Sequence, residues 1–129
     1  MEYNSETEHI LNRVLAMYSR YGIKSITMDD ICRELGISKK TLYQLVEDKV
    51  DLINRVIDYE MDLYRKTTDN MKLQGLNAIE ELIHVNKKIQ STHTVHSPTF
   101  YYDLKKYYPD IHNRMIENKR KRMYELTRE

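Results

Sequence analysis

The sequence predicts an all-α protein, and three observations carry that prediction. Only 3 Gly and 2 Pro punctuate the 129 residues, fewer breaks than a chain of many strands and turns needs. Apolar residues recur at three- and four-residue spacing in segment after segment, the period of a helix with one buried face. Between Thr27 and Lys49 the chain reads TMDDICRELGISKKTLYQLVEDK, two short helices joined at a glycine and followed by the start of a third.

Residues 1–7 read as a polar lead. From about Glu8 to Tyr21, the set Ile10, Leu11, Val14, Met17, Tyr18 and Tyr21 gives a first helix its buried face, and Gly22 stops it. Thr27 is placed to cap the next helix, Met28 to Glu34, with Asp30 three residues on as its capping-box partner. Such a cap leaves amide groups and a positive dipole end suited to a phosphate. Gly36 supplies the turn, and Ser38 caps a helix that runs to Leu45. Ile31, Cys32, Leu35, Ile37, Leu42 and Leu45 let the two helices cross closely. Cys32 is the small residue at the crossing, where its thiol stays buried and protonated. Lys39, Lys40, Thr41, Tyr43 and Gln44 are left on the outer face, the side a helix-turn-helix offers to the major groove. Lysines in a first helical turn run against the dipole, which points to a polyanionic partner. Thr41 and Gln44 can hydrogen-bond base edges, whereas Tyr43 fits either a core or a phosphate contact.

Asp48 caps the third helix of this stretch, with Asp51 at the box position and Lys49 directed the same way as Lys39 and Lys40. Val50, Leu52, Ile53, Val56, Ile57, Met61, Leu63 and Tyr64 carry its apolar pattern to about Lys66. That length takes it out of a first domain, residues 1–47, and into a second, residues 48–129, as a lever. Gln74 and Gly75 interrupt the pattern, and Leu76, Ile79, Leu82, Ile83, Val85 and Ile89 mark another amphipathic helix. STHTVHSP reads as a polar linker ending at Pro98, followed by a short aromatic helix with Phe100, Tyr101, Leu104, Tyr107 and Tyr108. Pro109 opens the last helix, with Ile111, Met115, Ile116, Met123 and Leu126 inward and Arg114, Lys119, Arg120, Lys121 and Arg122 exposed. No capping signal follows, so the sequence reads as cut in mid-helix. Met61, Phe100, Tyr101, Tyr107, Tyr108 and Met115 fit either an apolar effector cavity or an ordinary core.

Hydrophobic residues make up 40% and charged residues 32%, a soluble balance with no run approaching the roughly 20 apolar residues of a membrane span. The start, MEYNSETEHI, lacks the basic and apolar regions of a signal peptide. A single cysteine makes no intramolecular disulfide, which fits a reducing cytoplasm. Net charge is +1, and residues 1–55 hold eight Lys or Arg against nine Asp or Glu, a balance of −1. That opposes nucleic-acid binding, since phosphate neutralisation supplies much of the affinity. An enzyme fits less well, because no paired carboxylates, nucleophile motif, phosphate loop or metal cluster is visible, and no cofactor is implied. His93 and His96 are too few for a metal, which needs three or four convergent ligands. The NKRKR run fits a solvated helix face better than a second nucleic-acid patch.

Residues 8–57 resemble the DNA-binding region of TetR-family transcriptional regulators. The likeness runs through ILNRVLAMYSRYGIKSITMDDICRELGISKKTLYQLVEDKVDLI: a helix ending in Tyr-Gly, a Thr-capped helix, Leu-Gly-Ile-Ser, Thr-Leu-Tyr and a Lys two residues before Asp-Leu. It implies an all-α fold in which a three-helix helix-turn-helix domain is joined by a long helix to a helical ligand-binding and dimerisation domain, incomplete here. The implied function is sequence-specific DNA binding at a palindromic operator by a homodimer, a repressor released by a small-molecule effector. The positions matching Thr27, Lys39, Thr41, Tyr43 and Lys49 commonly meet DNA in that family, with Tyr43 and Lys49 on phosphates. Met28, Ser38, Lys40 and Gln44 complete the expected interface. The chain departs from the family at Leu45 and Val46, where many members carry His then Phe, so a frequent phosphate contact is missing. With the −1 balance, that motivates an alternative, a helix-turn-helix protein-interaction module that does not bind DNA.

Overall fold

The computed structural model describes residues 4–72, 80, 83 and 96–127. Among them are six helices and no strand: α1 (Ser5–Tyr21), α2 (Met28–Leu35), α3 (Lys39–Leu45), α4 (Lys49–Lys72), α5 (Pro98–Tyr107) and α6 (Pro109–Thr127). The expected break at Gln74 and Gly75 lies outside the described residues. So do the helix expected over 76–89, except helical positions 80 and 83, and also His93 and the side chain of Leu126.

Local chemistry starts and stops most of these helices. Thr27 accepts from the Asp30 amide at 3.0 Å while the Asp30 carboxylate accepts from the Thr27 amide at 2.9 Å, a complete capping box. Those bonds to Thr27, with Arg33 beside it, hold the Asp30 carboxyl below its usual range. Ser38 caps α3 through the Thr41 amide, and Asp48 caps α4 through the Asp51 amide at 2.8 Å. Gly36 closes α2 with a left-handed φ of 66°.

Three boundaries differ from the sequence expectation. Ser5, Glu6 and Thr7 are helical rather than a loose lead, because Asn4 caps α1 by accepting from the Thr7 amide. Helix α4 continues past Lys66 to Lys72. Pro98 opens α5 instead of closing a linker, since Ser97 caps that helix and proline suits its first turn.

Helix α1 packs on α4 and α5, and α6 packs on both α4 and α5. One continuous apolar cluster results, running from Ile10, Leu11 and Val14 through Leu42, Ile53 and Ile57 to Phe100, Leu104 and Met115. It crosses the 47/48 position without a gap. Ile116 and Met123, expected inward, are exposed, whereas Arg122, expected outside, is largely buried at 11% side-chain exposure. Its guanidinium is drawn in by the Thr68 hydroxyl at 2.6 Å and by Asp69. Arg114 likewise spans from α6 to Asp58 and Asn54 of α4. No helix among the described residues is long and apolar enough to cross a membrane.

The segment between α1 and α2 fixes where α5 sits. Gly22 has φ 86° and ψ 179°, a region open essentially to glycine alone. A Cβ there would lie 2.6 Å from Thr99 Cγ2 and 2.7 Å from Asp103 Oδ2, whereas one on Gly36 would meet nothing within 4 Å. Gly36→Ala should therefore cost about 1–2 kcal/mol for its left-handed backbone alone. Gly22→Ala should cost roughly 3 kcal/mol or more, backbone strain and overpacking together. Urea melts followed by circular dichroism will rank the two; equal losses would mean that α5 does not press on this turn.

Candidate nucleic-acid interface

Helix α3 exposes a row of side chains because Leu42 alone of its residues is fully buried, with Leu45 packed beside it. Lys40, Tyr43 and Gln44 stand out into solvent and carry no hydrogen bond or ion pair among the described residues. Lys39 is exposed too, but its ammonium lies 2.7 Å from the Asp29 carboxylate of α2, which pushes its pKa up. That surface pair is weak enough to be exchanged for another anion. Thr27 and Ser38 are exposed caps. Thr41 is half-buried, and its hydroxyl is 3.0 Å from that of Ser38, so it is turned back toward the cap. Met28 is half-buried against the core and presents little to a groove.

Lys49 departs from the expectation that it points with Lys39 and Lys40. Its ammonium donates inward to the carbonyls of Ile23 at 2.8 Å, Ile26 at 2.6 Å and Lys24 at 3.4 Å. The turn after α1 has no helical partners for those carbonyls, and a cation at the start of α4 is the nearest donor. Burial pushes the Lys49 pKa down, opposed by the charges of Asp103 and Asp30. On the other side of the turn Asp103, buried in α5, accepts from the amides of Ile23 at 2.9 Å and Lys24 at 3.0 Å. The sequence offered no signal for Asp103, since its partners lie 80 and 79 residues away.

Of the six residues expected at an effector cavity, four share the core: Met61 and Tyr108 pack against the cluster that holds Phe100 and Met115. Phe100 and Met115 are fully buried core, Tyr101 and Tyr107 are exposed, and Tyr108 lies half-buried. A 350 Å³ cleft does open between α4 and α6, but it is lined by charged residues such as Asp58, Arg65 and Lys121, with Met61 the one shared member. The reason is geometric: the apolar residues of α5 that point inward are consumed by packing on α1 and α6.

His96 is held by a hydrogen-bonded row. Its Nε2 lies 2.6 Å from Glu60 Oε1 and its Nδ1 lies 2.6 Å from the Ser19 hydroxyl. The ring stacks on Phe100 with centroids 4.1 Å apart. Ser19 is completely buried, so this Ser–His–Glu row does not offer its hydroxyl to a substrate. No group of three or more His, Cys, Asp or Glu among the described residues could hold a metal. Cys32 is buried, as its place at the helix crossing predicts.

No family model matches the chain. Among curated proteins it is similar to HTH-type transcriptional regulators of Staphylococcus aureus strains USA300, NCTC 8325 and COL, each 38% identical over 48 residues, or 37% of this chain. The match spans only 26% of those relatives. Among solved structures it is similar to a TetR-family transcriptional regulator from Streptomyces coelicolor, with a TM-score of 0.69 and 21% identity, covering 94% of this chain and 64% of that one.

If Lys49 secures the turn, Lys49→Met should lower unfolding stability by about 1–3 kcal/mol, the cost of taking its donor from the Ile26 carbonyl and leaving the Ile23 carbonyl only the Ile26 amide. Thermal and urea melts will check it, and an unchanged midpoint would return Lys49 to the surface. The Asp30 cap adds a pH signature. Because its folded pKa is depressed, its stabilisation is complete above about pH 4, the unfolded carboxyl value, and is lost as pH falls through the lower folded one. Asp30→Asn should flatten the acid limb of a stability–pH curve while leaving its shape near neutrality unchanged. The chain carries the all-α fold of a TetR-family regulator over nearly its whole described length.

Proposed function

We propose that the chain is the DNA-reading part of a transcriptional regulator, a repressor whose grip on a palindromic operator is loosened by a small-molecule effector. The observation that carries this reading is the row Lys40, Tyr43 and Gln44, exposed on a capped helix with no hydrogen bond or ion pair among the described residues. The similarity to HTH-type regulators supports it. In a homodimer, two copies of α3 would enter successive major grooves, Gln44 hydrogen-bonding a base edge and Lys40 and Tyr43 meeting phosphates.

Helix α4 supplies the route for an effector. Its first residue holds the turn ahead of α2, and further along it is bound to α6 through Arg114 and Arg122. An effector that favours one placement of α6 against α4 by about 1–3 kcal/mol would change DNA affinity about 5- to 150-fold.

A second reading, a helix-turn-helix module that binds protein instead, draws on Lys39 being paired with Asp29 and Lys49 being turned inward. Fluorescence-anisotropy titrations at low salt separate the two, because even non-specific duplex binding is visible there. Lys40→Ala should weaken binding and reduce the slope of log K against log salt by about one. Gln44→Ala should relax preference at a single base pair in a selection from random duplexes. No binding by the wild-type chain to any duplex would leave the protein-interaction reading standing.

A further inference from the structure

We infer that the surface built from Lys24 of the α1–α2 turn and Tyr102, Lys106 and Tyr107 of α5 is a second DNA contact, taking backbone phosphates that flank the site read by α3. This rests on the DNA-binding reading above and extends it to a part of the chain outside the helix-turn-helix.

The cations of this surface are held in a way that preserves their charge. Lys24 donates to the Tyr107 hydroxyl at 2.9 Å, with its ammonium 4.6 Å from the ring centroid. Lys106 donates to the Tyr102 hydroxyl at 3.1 Å and lies 5.4 Å from the ring centroids of both Tyr102 and Tyr107. Tyr107 therefore sits between two ammonium groups, one from each end of the chain. Neither lysine forms an ion pair with a carboxylate among the described residues, unlike Lys39 on Asp29. A neutral phenol orients a lysine without cancelling its field, which leaves the cation for an outside anion. Both tyrosines are exposed, and tyrosine hydroxyls are themselves common phosphate partners.

The surface is also fixed to the reading head. Asp103 binds the amides of Ile23 and Lys24, and Gly22 lets Thr99 come close. Lys24 stands three residues before the Thr27 cap. The offset between these cations and the start of α2 is therefore set by the fold. Lys106 adds a cation from outside the first 55 residues, which balance at −1 with Lys24 already counted, and Lys39 and Lys49 are already engaged. An acidic protein is the competing occupant, but the shared attachment to the turn before α2 favours the ligand of α2 and α3.

The test is Lys24→Gln/Lys106→Gln in the full chain, compared with Lys40→Gln. Dissociation constants are measured on fluorescein-labelled random-sequence duplexes of about 12 and about 30 base pairs, from roughly 50 to 200 mM KCl. The double variant should lose roughly 10-fold in affinity for the longer duplex and about 2 units of salt slope, with an unchanged melting temperature. Its loss on the shorter duplex should stay under about 2-fold, because flanking phosphates are missing there. Lys40→Gln should lose affinity on both lengths. Unchanged binding by the double variant, while Lys40→Gln still weakens it, overturns the flank contact and leaves the reading of α3 intact. Equal loss on both lengths overturns it as well. Retained DNA binding with lost affinity for poly-L-glutamate would assign the surface to an acidic protein. A wild-type chain that binds neither duplex would overturn the function and this inference together.

Discussion

The turn from Gly22 to Ile26 is the point on which the described structure depends. It belongs to no helix, so its peptide groups must find partners elsewhere or leave buried polar atoms unmet. A carboxylate and an ammonium meet that demand from opposite sides. Asp103 accepts two amide protons, and Lys49 donates to three carbonyls of the same turn. The peptide units between them lie in the field of both charges, so each charge stabilises the dipoles that the other also binds. Four helices are set by this arrangement: α1 ends at it, α2 begins after it, α4 starts on Lys49, and α5 crosses at Asp103.

A second joint lies further up the same helices. The Ser97 amide donates to the Ser19 carbonyl at 2.7 Å, and His96 bridges Ser19 of α1 to Glu60 of α4. Both ring nitrogens are thereby engaged, one by the Glu60 carboxylate and one by the Ser19 hydroxyl. The stack on Phe100 fixes the ring plane. The two joints hold α1, α4 and α5 at separate heights, so α4 cannot tilt against α1 without disturbing at least one of them.

Much of the architecture could be read from local residue patterns, and the reason is the range of the interactions. Thr27 with Asp30, Gly36, Ser38 and Pro109 act over three or four residues, so each boundary they define is written beside itself. At Asn4 and at Ser97 before Pro98 the same capping chemistry sets the boundary, but each cap sits inside a polar stretch and does not stand out from it. Arg122, Lys49 and Asp103 were another matter. A lysine at a helix start looks alike whether it faces a phosphate or three carbonyls, and nothing near Asp103 in FYYDLKKYY singles it out from the other polar positions. Their roles depend on partners 23 to 80 residues away. The aromatic residues were ambiguous for the same reason: Phe100 and Tyr107 share one helical stripe in sequence, yet one is core and the other meets Lys24 on the surface.

The near-neutral charge of the first 55 residues looks different once its members are placed. Asp30 is spent on the Thr27 cap, Asp51 is engaged by the Glu47 amide and Arg55, and Glu34 faces Arg13. Those acids are neutralised within the fold at the points where they lie. Among the described residues Lys40 is left without an acid, and so is Lys24, whose partner is a phenol. A sum over residues weights these charges equally, but a polyanion responds to the local field at its approach surface, within about 10 Å at ordinary salt. What decides whether this head can hold a phosphate backbone is therefore the placement of a few uncancelled cations around α2 and α3. That placement extends past the motif, because the turn that presents Lys24 is the one that Asp103 pins to α5.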